Sequence, residues 1–315
     1  MRLVEVIRGP ERPTREQLKH RRRRARALGA VALLALLLGL VVGAGSGGSS
    51  TPDVSGELTR VGWYGHLRTL SGTGEGSLDL EQRAQESAAI DRVLDRHPFI
   101  RNAGENTREI ALTFDDGPSD YTDRLLDLLD RLRVPATFFV NGKHVADHPD
   151  EMQRLIDAGH TIANHSWAHP DMTTLSAADQ AAQVADTSRA IQNVGGPTPR
   201  LFRPPYGAYN DTTHRVLDRA GELSVLWSVD SQDYTLPGVD GIVQNVVPNV
   251  HPGAIILMHD GGGPRDQTIA AVERIVPALR RQGYRFVTVP RLLLDNPPEA
   301  EDTRVPDDFN SANAG

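Results

Sequence analysis

The sequence predicts an α/β fold in which short parallel strands alternate with helices and close into a barrel of about seven strands. An apolar membrane segment is expected ahead of it. Three observations predict this. Across residues 107–295, short apolar runs alternate with stretches of helical periodicity. Polar clusters recur directly after those runs. An uninterrupted apolar stretch also lies near the start of the 315-residue chain, between an arginine cluster and a Gly/Ser-rich segment.

Residues 1–26 carry ten Lys/Arg against three Asp/Glu, or +7, which leaves −14 for the rest of a chain whose total is −7. A basic arm ahead of an acidic body argues against nucleic-acid binding. The arm ends in Lys19, His20, Arg21–Arg24 and Arg26, and the run 27–44 (ALGAVALLALLLGLVVGA) follows with no charged or polar side chain. Its eighteen residues fall within the span a membrane helix requires, about 17–25. Basic residues before such a run mark its cytoplasmic end. The 26 residues ahead of it favour an uncleaved signal-anchor over a cleaved signal peptide, which would release the protein. The expected location is a single-pass membrane protein whose main domain is extracytoplasmic. Residues 45–106 are then a linker and accessory segment, Gly/Ser-rich at its start and without assigned fold over 51–78; helical spacing resumes at Leu80–Leu94.

In the main domain, strands are expected at Ile110–Phe114, Ala136–Val140, His160–Ala163, Leu201–Phe202, Leu223–Val229, Gly253–Met258 and Arg285–Val289. Helices are expected at Asp123–Leu132, Asp150–Ala158 closed by Gly159, and Ala177–Gln192 capped by Ser176. Further helices are expected at Asn210–Ala220 closed by Gly221, Gly241–Val250, and Gln267–Gln282 closed by Gly283. There is no internal repeat. The Pro-, Asp-, Glu- and Asn-rich segment 296–315 reads as a disordered tail.

Five polar clusters sit at one place relative to these strands. Asp115-Asp116, His165 with His169, Arg203, Asp230 with Asp233, and His259-Asp260 each follow a strand. In an α/β barrel those positions share the C-terminal face, where active sites are built. The chain has no cysteine, which excludes disulfides, thiolate metal sites and cysteine nucleophiles. It has no G-x-S-x-G elbow, which disfavours a serine hydrolase. His165 and His169 are spaced i, i+4, so a helical turn would present both imidazoles to one ion. Alone, such a pair is weak evidence, and Asp-Asp-Gly-Pro alone reads as a turn. Together, one carboxylate can bind a metal while its neighbour acts as general base on water.

Thr113-Phe-Asp-Asp-Gly-Pro118, His165-Ser-Trp-Ala-His169, Arg203-Pro-Pro-Tyr206, Asp230-Ser-Gln-Asp233 and Leu257-Met-His259 resemble, in order, the five motifs of the NodB-homology polysaccharide deacetylases, carbohydrate esterase family 4. The resemblance covers residues 107–295. It implies a distorted (β/α)7-type barrel and metal-dependent deacetylation of polysaccharides. It further implies that Asp116, His165 and His169 bind a divalent metal, Zn2+ foremost, with Co2+ or Mn2+ as substitutes. Asp115 is then the general base, held by Arg203. His259 is the general acid, oriented by Asp233, and the backbone N–H of Tyr206 helps stabilise the oxyanion. The fourth motif departs from the family's common Asp-Trp ending, with Tyr234 in place of the tryptophan. The expected substrate is an N-acetylglucosamine polymer such as peptidoglycan or a chitin-like glycan. O-deacetylation of acetyl-xylan and a non-catalytic glycan-binding role in the envelope are the alternatives.

Overall fold

The computed structural model describes residues 74–299. The basic arm, the apolar run 27–44, the linker up to residue 73 and the tail from residue 300 lie outside the described residues. Among the described residues no helix is long and apolar enough to cross a membrane.

Helix α1 (Gly74–Leu94) leads into β1 (Phe99–Ile100) and the longest strand, β2 (Glu109–Asp115). Then come α2 (Thr122–Leu132), β3 (Thr137–Val140), α3 (Gly142–Asp147), α4 (Pro149–Asp157) and β4 (Thr161–Asn164). Helix α5 (Ala177–Asn193), β5 (Leu201–Phe202), α6 (Asp211–Ala220), β6 (Leu223–Val225) and β7 (Val229–Asp230) follow. The chain continues through α7 (Gly238–Val246), β8 (Ile255–His259), α8 (Asp266–Arg281), β9 (Arg285–Phe286) and α9 (Val289–Asp295).

The strands are paired in the order β1-β6-β5-β4-β3-β2-β8-β7, with β9 on the lower half of β2, and every strand pair is parallel. Only three residues, Leu226–Ser228, separate β6 near one end of that path from β7 at the other, so the sheet curls back on itself. Both faces are covered, as a parallel sheet requires, and all seven residues of β2 are buried. Side-chain alternation sorts them. Ile110, Leu112 and Phe114 face outward, in one core with Leu125 and Leu129 of α2 and Val272 and Ile275 of α8. Ala111 faces inward with Phe139, Ala163, Leu223 and Ile255. The same period turns Thr113 and Asp115 inward. Ile90 and Val93 of α1 and Leu292 of α9 pack into this inner core.

Most expected elements are present within one to three residues. Ser176 caps α5 by accepting from Asp179 N, and Gly221 closes α6 at a φ of 69°. Several expectations are corrected. Leu223–Val229 is two strands rather than one. The carbonyls of Val225 and Leu226 accept hydrogen bonds from Arg203, which takes them out of a ladder. Arg285–Val289 keeps only two strand residues, because Thr288 caps α9 and Pro290 suits its first turn. Gly241–Val250 begins earlier and ends earlier, at Gly238–Val246. The curled sheet also starts before residue 107, since β1 pairs with β6 and α1 packs on α9. Asn296, expected in the tail, is fully buried and bonded to Gly104 through both backbone and side chain.

Candidate active site

The five clusters come together at the C-terminal ends of the strands. Asp115 ends β2 and is 2% exposed. Its Oδ1 accepts a 2.7 Å hydrogen bond from Arg203 Nη1. Arg203 follows β5 and is fully buried; its guanidinium also donates to Thr113 Oγ1 at 2.8 Å and to the carbonyls of Val225 and Leu226 at 3.0 Å each. It stacks over the Phe139 ring at 4.1 Å, with Trp227 at 5.7 Å. Burial works to lower the arginine pKa, and the Asp115 charge beside it opposes that. A guanidinium stays charged under such conditions. The small inward residues Ala111 and Ala163 face the same interior as Phe139.

Asp116, the next residue, sits at a φ of 71° and turns its carboxylate toward the histidines. Its Oδ1 is 3.6 Å from His165 Nε2 and 3.4 Å from His169 Nε2. Two glycines make the turn possible. A Cβ on Gly117 would run into the Asp260 carboxylate, and one on Gly261 would run into the Asp116 carbonyl. His144 of α3 bonds the same carbonyl at 2.7 Å.

His165 and His169 do not lie on a helical turn, contrary to the expectation from their spacing. They occupy an irregular loop after β4 in which Ser166 and His169 adopt φ values of 68° and 56°. The left-handed residues, not helical pitch, bring the imidazoles to a centroid separation of 4.9 Å. His165 Nδ1 bonds the Arg203 carbonyl at 2.7 Å, which commits that nitrogen and frees Nε2. Burial first, and then the nearby His165, lower the His169 pKa to about 4, so its imidazole is neutral at neutral pH. Ligand atoms of Asp116, His165 and His169 all lie within 4.8 Å of one another. Two imidazoles and one carboxylate fit the donor set of a hydrolytic zinc site, and suit cobalt or manganese as well.

His259 ends β8, and its Nδ1 is 2.7 Å from Asp233 Oδ1. Asp233 is fully buried and accepts from His259 N at 3.0 Å, Thr268 Oγ1 at 2.7 Å and Ser231 Oγ at 3.1 Å. Burial acts to lower the His259 pKa, but the hydrogen bond and charge of Asp233 outweigh it and the net direction is upward. For Asp233, burial acts upward, and the His259 hydrogen bond and charge carry it below the usual carboxylate range. Tyr206, at a φ of 60°, sets its ring edge-on to His169 at 4.6 Å. Tyr234 does the same to His259 at 5.5 Å and bonds Asp230 through its hydroxyl. The two rings are 58% and 47% exposed, one standing against His169 and the other against His259.

Every residue expected at the site is therefore brought to one face. Sequence reasoning named Thr113 and Asp260 without giving them a role, and missed His144, Asn164 and Thr268, which also hold these groups. Asn164 directly precedes His165 and was open to inspection. Thr268 and His144 carry no local signal. Of the seven non-glycine residues with positive φ among those described, Asp116, Ser166, His169, Tyr206, Gln232 and Leu236 all fall in loops at this face. Such conformations cost energy and persist where the surroundings impose them.

A model of the family described as "Polysaccharide deacetylase" matches residues 102–223. A chitooligosaccharide deacetylase of Bradyrhizobium sp. (strain ANU 289) is 41% identical over 207 residues, covering 61% of this chain and 94% of that protein. A peptidoglycan-N-acetylglucosamine deacetylase of Bacillus cereus is 42% identical over 191 residues, covering 60% of this chain and 89% of its own. Among solved structures, the Bc1960 peptidoglycan N-acetylglucosamine deacetylase superposes with a TM-score of 0.62 at 31% identity, over 66% of this chain and 98% of that one.

Proposed function

The chain belongs to the polysaccharide deacetylase family, and on that premise we propose that it is a metal-dependent N-deacetylase. It would hydrolyse the acetamide C–N bond of N-acetylglucosamine residues in a cell-wall or extracellular glycan. The observation that carries the reading is the pairing of a buried carboxylate and a histidine beside the Asp116, His165 and His169 cluster. Asp115 and His259 are register partners on the parallel strands β2 and β8, so both face the barrel mouth. The relatives named for peptidoglycan and chitooligosaccharides support the substrate class.

Asp116, His165 and His169 would hold the metal, whose role as a Lewis acid is to polarise the acetyl carbonyl and acidify water. Asp115 takes the proton from the attacking water as the new C–O bond forms. Arg203 supplies a counter-charge to Asp115 and aims it for that transfer. The Tyr206 N–H is suited to stabilise negative charge on the carbonyl oxygen. The C–N bond then breaks, and His259 delivers a proton to the departing nitrogen. An amine leaves poorly without that proton, and Asp233 holds the imidazole by Nδ1 so that Nε2 makes the delivery. The products are acetate and a free glucosamine amine. Tyr234 would form one wall of the acetyl pocket.

The proposal includes an extracytoplasmic domain tethered by residues 27–44, supported by the basic arm before that run. The test is acetate release by the full chain from N-acetylated chitooligosaccharides, peptidoglycan and acetyl-xylan, with metal content measured on the same sample. Release from the N-acetylated glycans is expected. Release from acetyl-xylan alone would make the protein an O-deacetylase, and release from none would favour a binding role.

A further inference from the structure

Glu222, in the turn between α6 and β6, takes no part in the chemistry above, yet its side chain is buried with 2% exposure. It lies on the outer face of the sheet beneath α5. Its Oε1 is 2.9 Å from Ser188 Oγ and 3.2 Å from Asn164 Nδ2. Its Oε2 is buried without a hydrogen-bond partner. Ser188 Oγ is also 3.0 Å from the Val184 carbonyl.

Oε2 points to the state of this carboxyl. Asn164 Nδ2 also lies 3.0 Å from the Val184 carbonyl and 3.2 Å from Ser188 Oγ, so every donor in the network is aimed at Oε1, Ser188 or Val184 and none at Oε2. Were Glu222 ionised, Oε2 would be a buried charged oxygen without a hydrogen bond, which is costly. With the proton on Oε1, Glu222 donates to Ser188 Oγ, the hydroxyl donates to the Val184 carbonyl, and Asn164 Nδ2 donates to the remaining Oε1 lone pair. Burial acts in the same direction and raises the carboxyl to about 8, against the hydrogen bonds of Ser188 and Asn164 and the charge of Arg200.

The far side of this network is the candidate metal loop. Asn164 Oδ1 accepts a 2.9 Å hydrogen bond from Ser166 N, the left-handed residue that turns the loop after His165. The Asn164 carbonyl accepts from Arg203 N at 2.9 Å. Asn164 thus braces the turn after His165 through its side-chain amide and the Arg203 backbone through its main-chain carbonyl, and Glu222 with Ser188 holds the side-chain amide.

We propose that Glu222 is an un-ionised carboxylic acid that acts as a positioning residue, holding the Asn164 amide so that the loop carrying His165 keeps its metal-binding geometry. The positioning half rests on the reading of His165 as a metal ligand; the protonation half does not.

The test uses the full chain with Co2+ as probe, together with infrared difference spectra at neutral pH. Glu222→Ala should weaken Co2+ binding about tenfold, the scale of lost outer partners of a metal ligand. Glu222→Gln, neutral and similar in shape, should stay within about threefold of wild type by the same scale. The wild-type-minus-E222Q spectrum should contain the carbonyl stretch of an un-ionised acid. Absence of that band overturns the protonation. E222Q as damaging as E222A, or E222A binding Co2+ like wild type, overturns the positioning role. If E222A does not fold, Ser188→Ala replaces it: a several-fold weaker Co2+ affinity is expected, and an unchanged affinity counts against the proposal. A wild-type chain that takes no Co2+ overturns the metal reading and the positioning role with it, while the infrared band still decides the proton.

Discussion

Asp115 and His259 end adjacent parallel strands as register partners, and each is tied to a buried group of opposite charge: Asp115 to Arg203 and His259 to Asp233. In the proposed mechanism the carboxylate takes a proton and the imidazole gives one. Asp115→Asn keeps the shape and removes the base. Turnover should fall by about 10²–10⁴, while metal content stays within a few-fold of wild type. Acetate release and metal analysis on one preparation check this, and undiminished turnover would remove Asp115 from the mechanism.

Arg203 has four hydrogen-bond acceptors and no exposure. Arg203→Ala leaves Asp115 buried without its counter-charge, a loss of about 3–5 kcal/mol in unfolding free energy. Arg203→Lys should recover only part of it, since an ammonium on a flexible stem does not span that fork of acceptors. Denaturant unfolding midpoints measure both.

The His259–Asp233 pair makes a signed statement about pH. The His259 pKa is raised in the folded state. Its contribution to stability is therefore full below the ordinary histidine value and is lost as pH rises through the raised one. As general acid, His259 must also be protonated, so the alkaline limb of kcat/KM should lie above the ordinary histidine range. Asp233→Asn removes the charge that raises it and should move that limb to lower pH. A limb that stays in place would assign the acid elsewhere.

Removing one member of the proposed metal triad should act on metal before it acts on fold. His169 is only partly buried, so His169→Ala is expected to cost little stability and most of the bound metal. A chelator should abolish acetate release from wild type, and added Zn2+ or Co2+ should restore it. Equal metal content in wild type and H169A would dissolve the site.

Gly117 is required by contact. A methyl group there meets the Asp260 carboxylate, which Thr122 holds at 2.6 Å. Gly117→Ala should cost about 1–3 kcal/mol by overpacking and shift Asp116, lowering metal affinity as well. Thermal unfolding and Co2+ titration of the same variant test the two effects together.

Much of the site was legible because its residues are clustered in the chain and follow strands whose apolar runs are short and regular. His165 and His169 show where such reading stops. Their spacing suggested a helix, whereas the structure brings them together through left-handed Ser166 and His169. Spacing reports distance along the chain and not the path between. The strand at Leu223–Val229 failed for a related reason. Its apolar composition suits a strand throughout, but Arg203 claims two of its carbonyls.

By itself the sequence determined the alternating parallel architecture, the motif residues and the charge asymmetry that frames the apolar run. Residue type, period and order along the chain are local properties, and those features depend on nothing else. The tertiary structure alone decided which way each group faces. It set Asp115 inward against Arg203 and Asp116 toward the histidines, although the two are neighbours of one chemistry. It also closed Glu222, Ser188 and Asn164 into one network behind the His165 loop. Contacts of that kind depend on packing between segments far apart in the chain, and no local pattern encodes them.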